Sequence, residues 1–431
     1  MKRRAAGLAG MATVPAFFVF KIGSALVLLA ASTAWLPVAG FAEFTQLMIL
    51  AALLNLAAIG GAQNGLVRMA AAATDDREVA RAHGAALAIW LAVFVVLGLL
   101  AALFRGPIST LLVGDERAAG AALAVVLLTL AGGPGQVFTS ILTGRHRPGA
   151  SLMAQGCGLI ASTAGALWLL RQGDAGGAAV AFAAGPLVAM VAALPPYLAE
   201  RLPRPSLTGV GEEVRMLLRF SGATAAVAGF ASLVLFGLRA VYREEFGLET
   251  LGYWLAANRI SDTTTQFLGL AILQLFLPRY TAMKDEAGAH RLVFVTWAAG
   301  VAIMAGGLAV FALASDFWVR LFLSPAFLPA TTAILLYMAG DVLRVWAAVA
   351  MNAQLARGRP WLFAGIEIGT LALMALLTMV GIAAGMTLAP MLGYLAAYAF
   401  TALCVTVWFV RGHLAARRPV PPVPEGADVL T

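Results

Sequence analysis

Residues 83–104 read HGAALAIWLAVFVVLGLLAALF. Arg81 precedes this run, Arg105 follows it, and no Asp, Glu, Lys or Arg lies inside it. At about 1.5 Å per residue a helix over such a run crosses the roughly 30 Å hydrocarbon core of a bilayer. The rest of the chain repeats the pattern. Of its 431 residues 61% are hydrophobic and only 12% charged, with a mean hydropathy of +0.89. Soluble domains carry about 25% charged residues to cover their surface. The composition therefore excludes a soluble enzyme, a disordered chain and a secreted disulfide scaffold. It specifies an all-α polytopic membrane protein.

Cutting at charges and at Pro/Gly clusters gives about twelve transmembrane helices, near 10–34, 41–67, 83–104, 118–143, 149–170, 177–199, 219–239, 250–277, 291–314, 328–355, 360–383 and 386–410. Met1-Lys2-Arg3-Arg4 and the apolar run behind it imitate a signal peptide. The run continues past Lys21 to about Ala34, too long for a signal core, so it reads as the first span. The longest connector, about Glu200 to Arg219, contains Pro203, Pro205, Gly209 and Gly211. It divides the chain into an N-terminal six-helix bundle (1–205), a cytoplasmic linker (206–218) and a C-terminal six-helix bundle (219–411). A Pro-rich tail, 412–431, reads as disordered.

Basic residues orient the spans. With the N-terminus in the cytoplasm, 20 of the 29 Lys and Arg fall on the cytoplasmic side, six on the other side and three within spans. This asymmetry places both termini in the cytoplasm. It also accounts for the net charge of +8 without nucleic acid.

The halves echo each other at an offset of about 210 residues. GFAEFTQLMILAALL from Gly40 corresponds to GYWLAANRISDTTTQ from Gly252, and the following loops end in ARAH (80–83) and AGAH (287–290). LAGGPGQVFTSILTGRHRP (130–148) corresponds to MAGDVLRVWAAVAMNAQLARGRP (338–360). Six spans per half is an even number, so the pseudo-symmetric bundles share one orientation around a central cavity. Alternating-access transporters are built this way.

Seven ionisable residues fall inside spans: Lys21, Glu43, Arg259, Asp262, Asp341, Arg344 and Glu367. Facing lipid unpaired, at roughly 2.5–3.5 kcal/mol each, they would cost about 20 kcal/mol, more than a protein's whole stability. They must pair or line water. Arg259, Asp262, Thr263 and Gln266 form one helical stripe; Tyr337, Asp341, Arg344 and Asn352 form another. Arg259–Asp262 and Asp341–Arg344 are spaced to pair within their own helices, and such pairs either lock helices together or face a substrate. Asn55, Gln63 and Asn64 suggest a less charged lining on the second span. Lys21 sits mid-span, too deep for easy snorkelling, whereas Glu43 is near a span end and fits an interfacial position. Glu367 has no local partner. It is either a protonatable carboxylate or the buried partner of Lys21 or Arg344.

Gly132-Gly133-Pro134-Gly135 follows a span interior, so it reads as a bend and not as a phosphate loop. No Walker A, HExxH or GxSxG sequence occurs. Cys157, Cys404 and the four histidines have no metal-ligand spacing. The chain is expected to be no enzyme and to use no cofactor or metal.

Several stretches resemble Wzx-type flippases of the polysaccharide exporter family, within the multidrug/oligosaccharidyl-lipid/polysaccharide exporter (MATE/MOP) superfamily. The nearest branch is that of enterobacterial common antigen lipid III flippases and O-antigen translocases. FKIGSALVLL (20–29) is similar to the family's first span and carries Lys21. FTQLMIL (44–50) and GGAQNGLVRMAA (60–71) are similar to its second span, with Asn64. LRAVYREEFGLETLGYWLAANRISDTTTQF (238–267) resembles its seventh-to-eighth hairpin, with Arg239, Asp262 and Gln266. GDVLRVWAAVAMNAQLARGRPWLFAGIE (340–367) resembles its tenth and eleventh spans, with Asp341, Arg344 and Glu367. Arg259 is a departure.

The resemblance implies a protein of the bacterial inner membrane that flips a polyprenyl-diphosphate glycan from the cytoplasmic to the periplasmic leaflet. Lys21, Arg239, Arg259 and Arg344 would hold the diphosphate. Asn64 and Gln266, with Asn55, Asn258 and Asn352, would bond sugars. Asp262, Asp341 and Glu367 would couple the cycle to H+ or Na+. A glycan polymerase or glycosyltransferase partner is compatible with it. The alternatives are a cation-coupled multidrug exporter of the same superfamily and a membrane glycan ligase or polymerase. Short outer loops argue against the last.

Overall fold

The computed structural model describes residues 2–416 except 60, 146, 202–204, 207–208, 273–275, 277–279, 281–282, 284–285 and 358. Every regular element among them is helical. The first half contains α1 (Lys2–Trp35), α2 (Val38–Ala57), α3 (Gln63–Ala72), α4 (Asp76–Leu103), α5 (Arg105–Leu112), α6 (Ala119–Ala131), α7 (Gly133–Gly144), α8 (Pro148–Leu170), α9 (Ala175–Ala183) and α10 (Gly185–Leu198). The second contains α11 (Gly211–Ala271), α12 (Glu286–Leu313), α13 (Ser315–Phe322), α14 (Thr331–Ala356), α15 (Pro360–Ala383) and α16 (Ala389–Ala416).

Ten helical segments among the described residues are long and apolar enough to cross a membrane. A shorter apolar stretch, Phe20–Trp35, lies in α1. The 61-residue α11 is two helices meeting at Gly247, whose φ of +85° and ψ of 167° interrupt the helix. Only glycine takes that conformation without cost. Of the twelve crossings expected from the sequence, α1 and the two arms of α11 are helical at the places of the first, seventh and eighth. Large apolar side chains such as Leu99, Leu103, Trp168, Ile303 and Leu376 point outward, as they must in a multi-pass membrane protein whose solvent is lipid.

The repeat is visible in the elements. α4, the short α5, a 3-10 turn at Glu116–Ala118 and α6 recur as α12, the short α13, a 3-10 turn at Pro325–Ala330 and α14. The two R-x-R-P stretches find their physical meaning here. Pro148 and Pro360 open α8 and α15, where a missing N–H costs nothing and the fixed φ suits the first turn.

Several spans differ from expectation. The second span is broken between Ala57 and Gln63. The fourth bends at Gly132, as its glycines predict, and the sixth bends at Ala184 before Pro186. The 206–218 linker is helical from Gly211, and the tail is helical as far as Ala416. The rest of the tail, 417–431, lies outside the described residues.

Small residues set the helix spacing in the first half. A Cβ at Gly158 on α8 would lie 2.5 Å from the Gly185 carbonyl oxygen on α10. Backbone cannot yield there. Gly158→Val is expected to cost about 1–3 kcal/mol by overpacking, read as a lower midpoint of thermal unfolding in detergent. An unchanged midpoint would show that these helices can separate freely.

The halves meet chiefly at the Arg-poor face. Gly252 on α11 packs against the Val38 backbone on α2, where a Cβ would lie 2.8 Å from the Val38 oxygen. Phe41 stands edge-on to Phe327 at 5.1 Å between ring centroids. Arg243 Nη1 donates to the carbonyls of Thr110 (2.5 Å) and Leu111 (2.9 Å) in the last turn of α5. At the basic face the first turns of α11 pack on the first half, with Leu217 among Leu66, Ala70 and Val79. Arg81 there pairs with Glu213 at 3.2 Å.

Candidate functional site: a chambered polar cavity

The intramembrane charges collect on the inner sides of α1, α11, α14 and α15. Asp341 on α14 is fully buried. Its Oδ1 accepts from Ser261 Oγ at 2.9 Å and from Tyr394 OH at 2.6 Å, while its Oδ2 has no hydrogen-bond partner. One turn along, Arg344 donates to the same Tyr394 hydroxyl at 3.3 Å and lies 5.5 Å from the centre of the Tyr398 ring. Tyr394 thus ties acid to base. Glu367 on α15 is half-buried and faces Arg344 electrostatically, so of its two candidate partners the structure brings Arg344 to it.

The direct ion pairs expected within the helices do not form. Among the described residues the ion pairs within 4 Å are Arg81–Glu213, Arg145–Asp76, Arg145–Glu200 and Arg147–Glu200, all at the basic face. The reason is geometric. Asp341 is reached first by hydroxyls from α11 and α16, and the Arg344 guanidinium turns to two tyrosines on α16. Arg259 and Asp262 remain within electrostatic reach of each other, but both line a small chamber of about 90 Å³ between the halves. Lys21 lines that chamber from α1, and Ser32 and Thr45 are also in its wall.

Arg239 lies higher on α11 and is only 3% exposed. Its Nη2 donates to Asn258 Oδ1 at 3.0 Å, whereas Nε and Nη1 have no partner. The guanidinium lies 5.9 Å from the centre of the Trp254 ring. Trp254 Nε1 in turn donates to Tyr337 OH at 2.6 Å, joining α11 to α14. A buried cation with idle donors is costly unless something pairs with it.

Lys21 also lines a second, larger chamber of about 510 Å³ in the first half. Asn55, Gln63, Gln136, Thr139, Thr143 and Gln155 contribute to its wall. A third cavity, about 490 Å³ and mostly apolar, lies between α14, α15 and α16. It is bordered by Leu362, Phe400 and Trp408, which are also exposed on the outer surface.

The structure therefore brings Lys21, Arg259 and Asp262 together and sets Asp341, Arg344 and Glu367 beside them. It separates Asn55, which faces the first-half chamber, and Asn352, which bonds its own helix at the Ala348 carbonyl (2.8 Å). Glu43 sits by Asp174 and Asp115 toward the Arg-poor face. The side chains of Asn64 and Gln266 lie outside the described residues. Gln136, Tyr394 and Tyr398 were not singled out by sequence reasoning, whereas Tyr337 belongs to the stripe of Asp341 and Arg344. For Tyr394 and Tyr398 a signal exists, because they stand four apart on a mainly apolar helix.

No protein-family model matches this chain, and no curated protein sequence matches it either. Solved structures do. The lipid II flippase MurJ in its inward closed conformation superposes with a TM-score of 0.74 at 11% identity, over 92% of this chain and 87% of that one. An inward-facing multidrug resistance MATE family transporter of the MOP superfamily gives 0.65 at 14% identity, over 94% and 96%. The fold is of the MATE/MOP transporter type. A third structure, a MOP superfamily transporter from Pyrococcus furiosus described as having a binding pocket of reversed polarity, gives 0.58 at 14% identity, over 94% and 93%. At these identities the likeness carries the fold. Function has to come from the residues in the chambers.

Proposed function

We propose that this protein flips a polyprenyl-diphosphate-linked oligosaccharide, of O-antigen or enterobacterial common antigen type, from the cytoplasmic to the periplasmic leaflet of a bacterial inner membrane. The observation that carries the reading is the chamber between the halves. Lys21 and Arg259 line it without an ion pair within 4 Å, and Arg239 lies buried above it with two idle donors. Such a site attracts a dianionic headgroup, which cannot enter hydrocarbon alone. The apolar cavity between α14, α15 and α16 suits a prenyl tail.

Alternating access follows from the two-half construction, with contacts at the Arg-poor face closing the outer side. Asp262, Asp341 and Glu367 are the candidate coupling carboxylates, with H+ or Na+ as the ion. Both termini are cytoplasmic in this reading. Cationic drug export is the second reading, favoured by the orphaned Asp341 Oδ2. Glycan polymerase or glycosyltransferase partners remain compatible with the short cytoplasmic connectors.

Reconstitution separates the two readings. Proteoliposomes holding a labelled polyprenyl-diphosphate oligosaccharide are treated with an external glycosidase, with and without an ion gradient. Protein-dependent, gradient-sensitive redistribution of the sugar is expected. Gradient-driven uptake of a cationic dye, with no redistribution of the glycan, would assign the protein to drug export.

A further inference from the structure

The large first-half chamber carries almost no charge. Lys21 stands at its junction with the chamber between the halves, and no carboxylate is among the described residues of its wall. Neutral hydrogen-bonding groups take their place. Gln63 Nε2 donates to Gln136 Oε1 at 2.5 Å, and Gln136 Nε2 donates to Asn55 Oδ1 and to the Asn55 carbonyl, both at 2.6 Å. This ladder holds Gln136 by both ends. It leaves the Gln63 carbonyl oxygen and the Asn55 amide nitrogen open, one acceptor and one donor. Thr129 adds a third group: it is 1% exposed, it lines the chamber, and its hydroxyl has no partner. A buried hydroxyl left idle is costly unless a ligand or water uses it.

The glycine-rich bend builds this chamber. A Cβ on Gly132 would strike Pro186, one on Gly133 the Trp90 ring, and one on Gly135 the Met190 backbone. The glycines let α7 start deep against α4 and α10, which aims Gln136, Thr139 and Thr143 into the space. At about 510 Å³ the chamber falls in the roughly 300–1,000 Å³ range that takes a drug-sized ligand, a size that suits a di- or trisaccharide.

We infer that this chamber binds the uncharged sugars of the substrate headgroup. Neutral hexoses and N-acetylhexosamines present hydroxyls and amides that match its amides and hydroxyls. A uronic acid would bring a carboxylate into a wall with no cation beyond Lys21, and a cationic drug would find no acid there. The inference rests on the flippase reading above and adds where the glycan sits and which sugars are accepted.

Three lipids test it in proteoliposomes: polyprenyl diphosphate bearing a neutral di-N-acetylhexosamine, the same lipid bearing a hexuronic acid disaccharide, and bare polyprenyl diphosphate. Protection from an external glycosidase reads the first two, and protection from an external phosphatase reads the third. The wild type is expected to move the neutral glycan at least tenfold faster than the uronic one. Gln136→Leu is expected to lower the ratio of neutral-glycan to bare-lipid flux at least tenfold. Thr143→Val and Thr129→Val, which keep shape and remove only a hydroxyl, are expected to lower it three- to tenfold and serve if Gln136→Leu does not fold. A wild type that moves bare and glycosylated lipids, with the ratio unchanged in the folded variants, overturns the chamber assignment and leaves the flippase reading standing. A wild type that moves none of the three overturns both.

Discussion

Asp341→Ala is expected to lower glycan-lipid translocation by about 100-fold while leaving protein abundance unchanged. Removing the carboxylate takes away the acceptor shared by the Ser261 and Tyr394 hydroxyls, and a 100-fold loss corresponds to about 2.7 kcal/mol in the transport barrier. It also frees Tyr394, the residue through which Arg344 is held. Asp341→Asn separates charge from hydrogen bonding, because its amide oxygen can still accept from both hydroxyls, which share Oδ1. Transport by Asn at the wild-type rate would show that the charge is unused and that Asp341 is an anchor. The exchange Asp341→Arg with Arg344→Asp is expected not to restore transport. The two residues do not touch within 4 Å, and the swap sets a guanidinium against the Ser261 hydroxyl. Restoration would mean that they pair directly during the cycle.

The parts of this molecule that were legible in the sequence are those with a high energetic cost of error. A charge in hydrocarbon costs enough that Asp262, Asp341, Arg344 and Glu367 stand out in apolar runs, and all four lie in or beside the cavity. The spans were legible for the same reason, and so was the bend at Gly132, where glycines and a proline coincide. The break between Ala57 and Gln63 was not. It carries no proline and no charge; its one mark in the sequence is the pair Gly60-Gly61, of which Gly61 takes a φ of +71° that favours glycine.

The partners of the charges were also hidden, because Ser261 and Tyr394 reach Asp341 across 80 and 53 residues. The expected i,i+3 pairs failed because local spacing permits a contact without enforcing it once hydroxyls from other helices compete. Gln136, Thr139 and Thr143 were missed for the opposite reason. Neutral polar residues cost too little in a span to mark themselves, and their meaning appears only when several helices enclose a common space.

A disulfide between Val38→Cys and Gly252→Cys, in a background with Cys157 and Cys404 replaced by serine, is expected to stop transport completely and reversibly. A Cβ at position 252 would lie 2.6 Å from Val38 Cγ1. A sulfur at that Cγ position is then within reach of a second sulfur on residue 252, close to disulfide geometry. The bond would weld α2 to α11 at the Arg-poor face, where Phe41, Phe327 and Arg243 also hold the halves together. If the halves rock about a fixed site, this face must part once per cycle, and a covalent bond here halts the cycle at the same step for every substrate. Reductant should restore the rate of the unlinked double variant, and each single cysteine variant gives the cost of substitution alone. Translocation by the oxidised protein at the reduced rate would show that the substrate passes without this face opening, and the two halves would then be a scaffold around a lateral path and not a rocking pair.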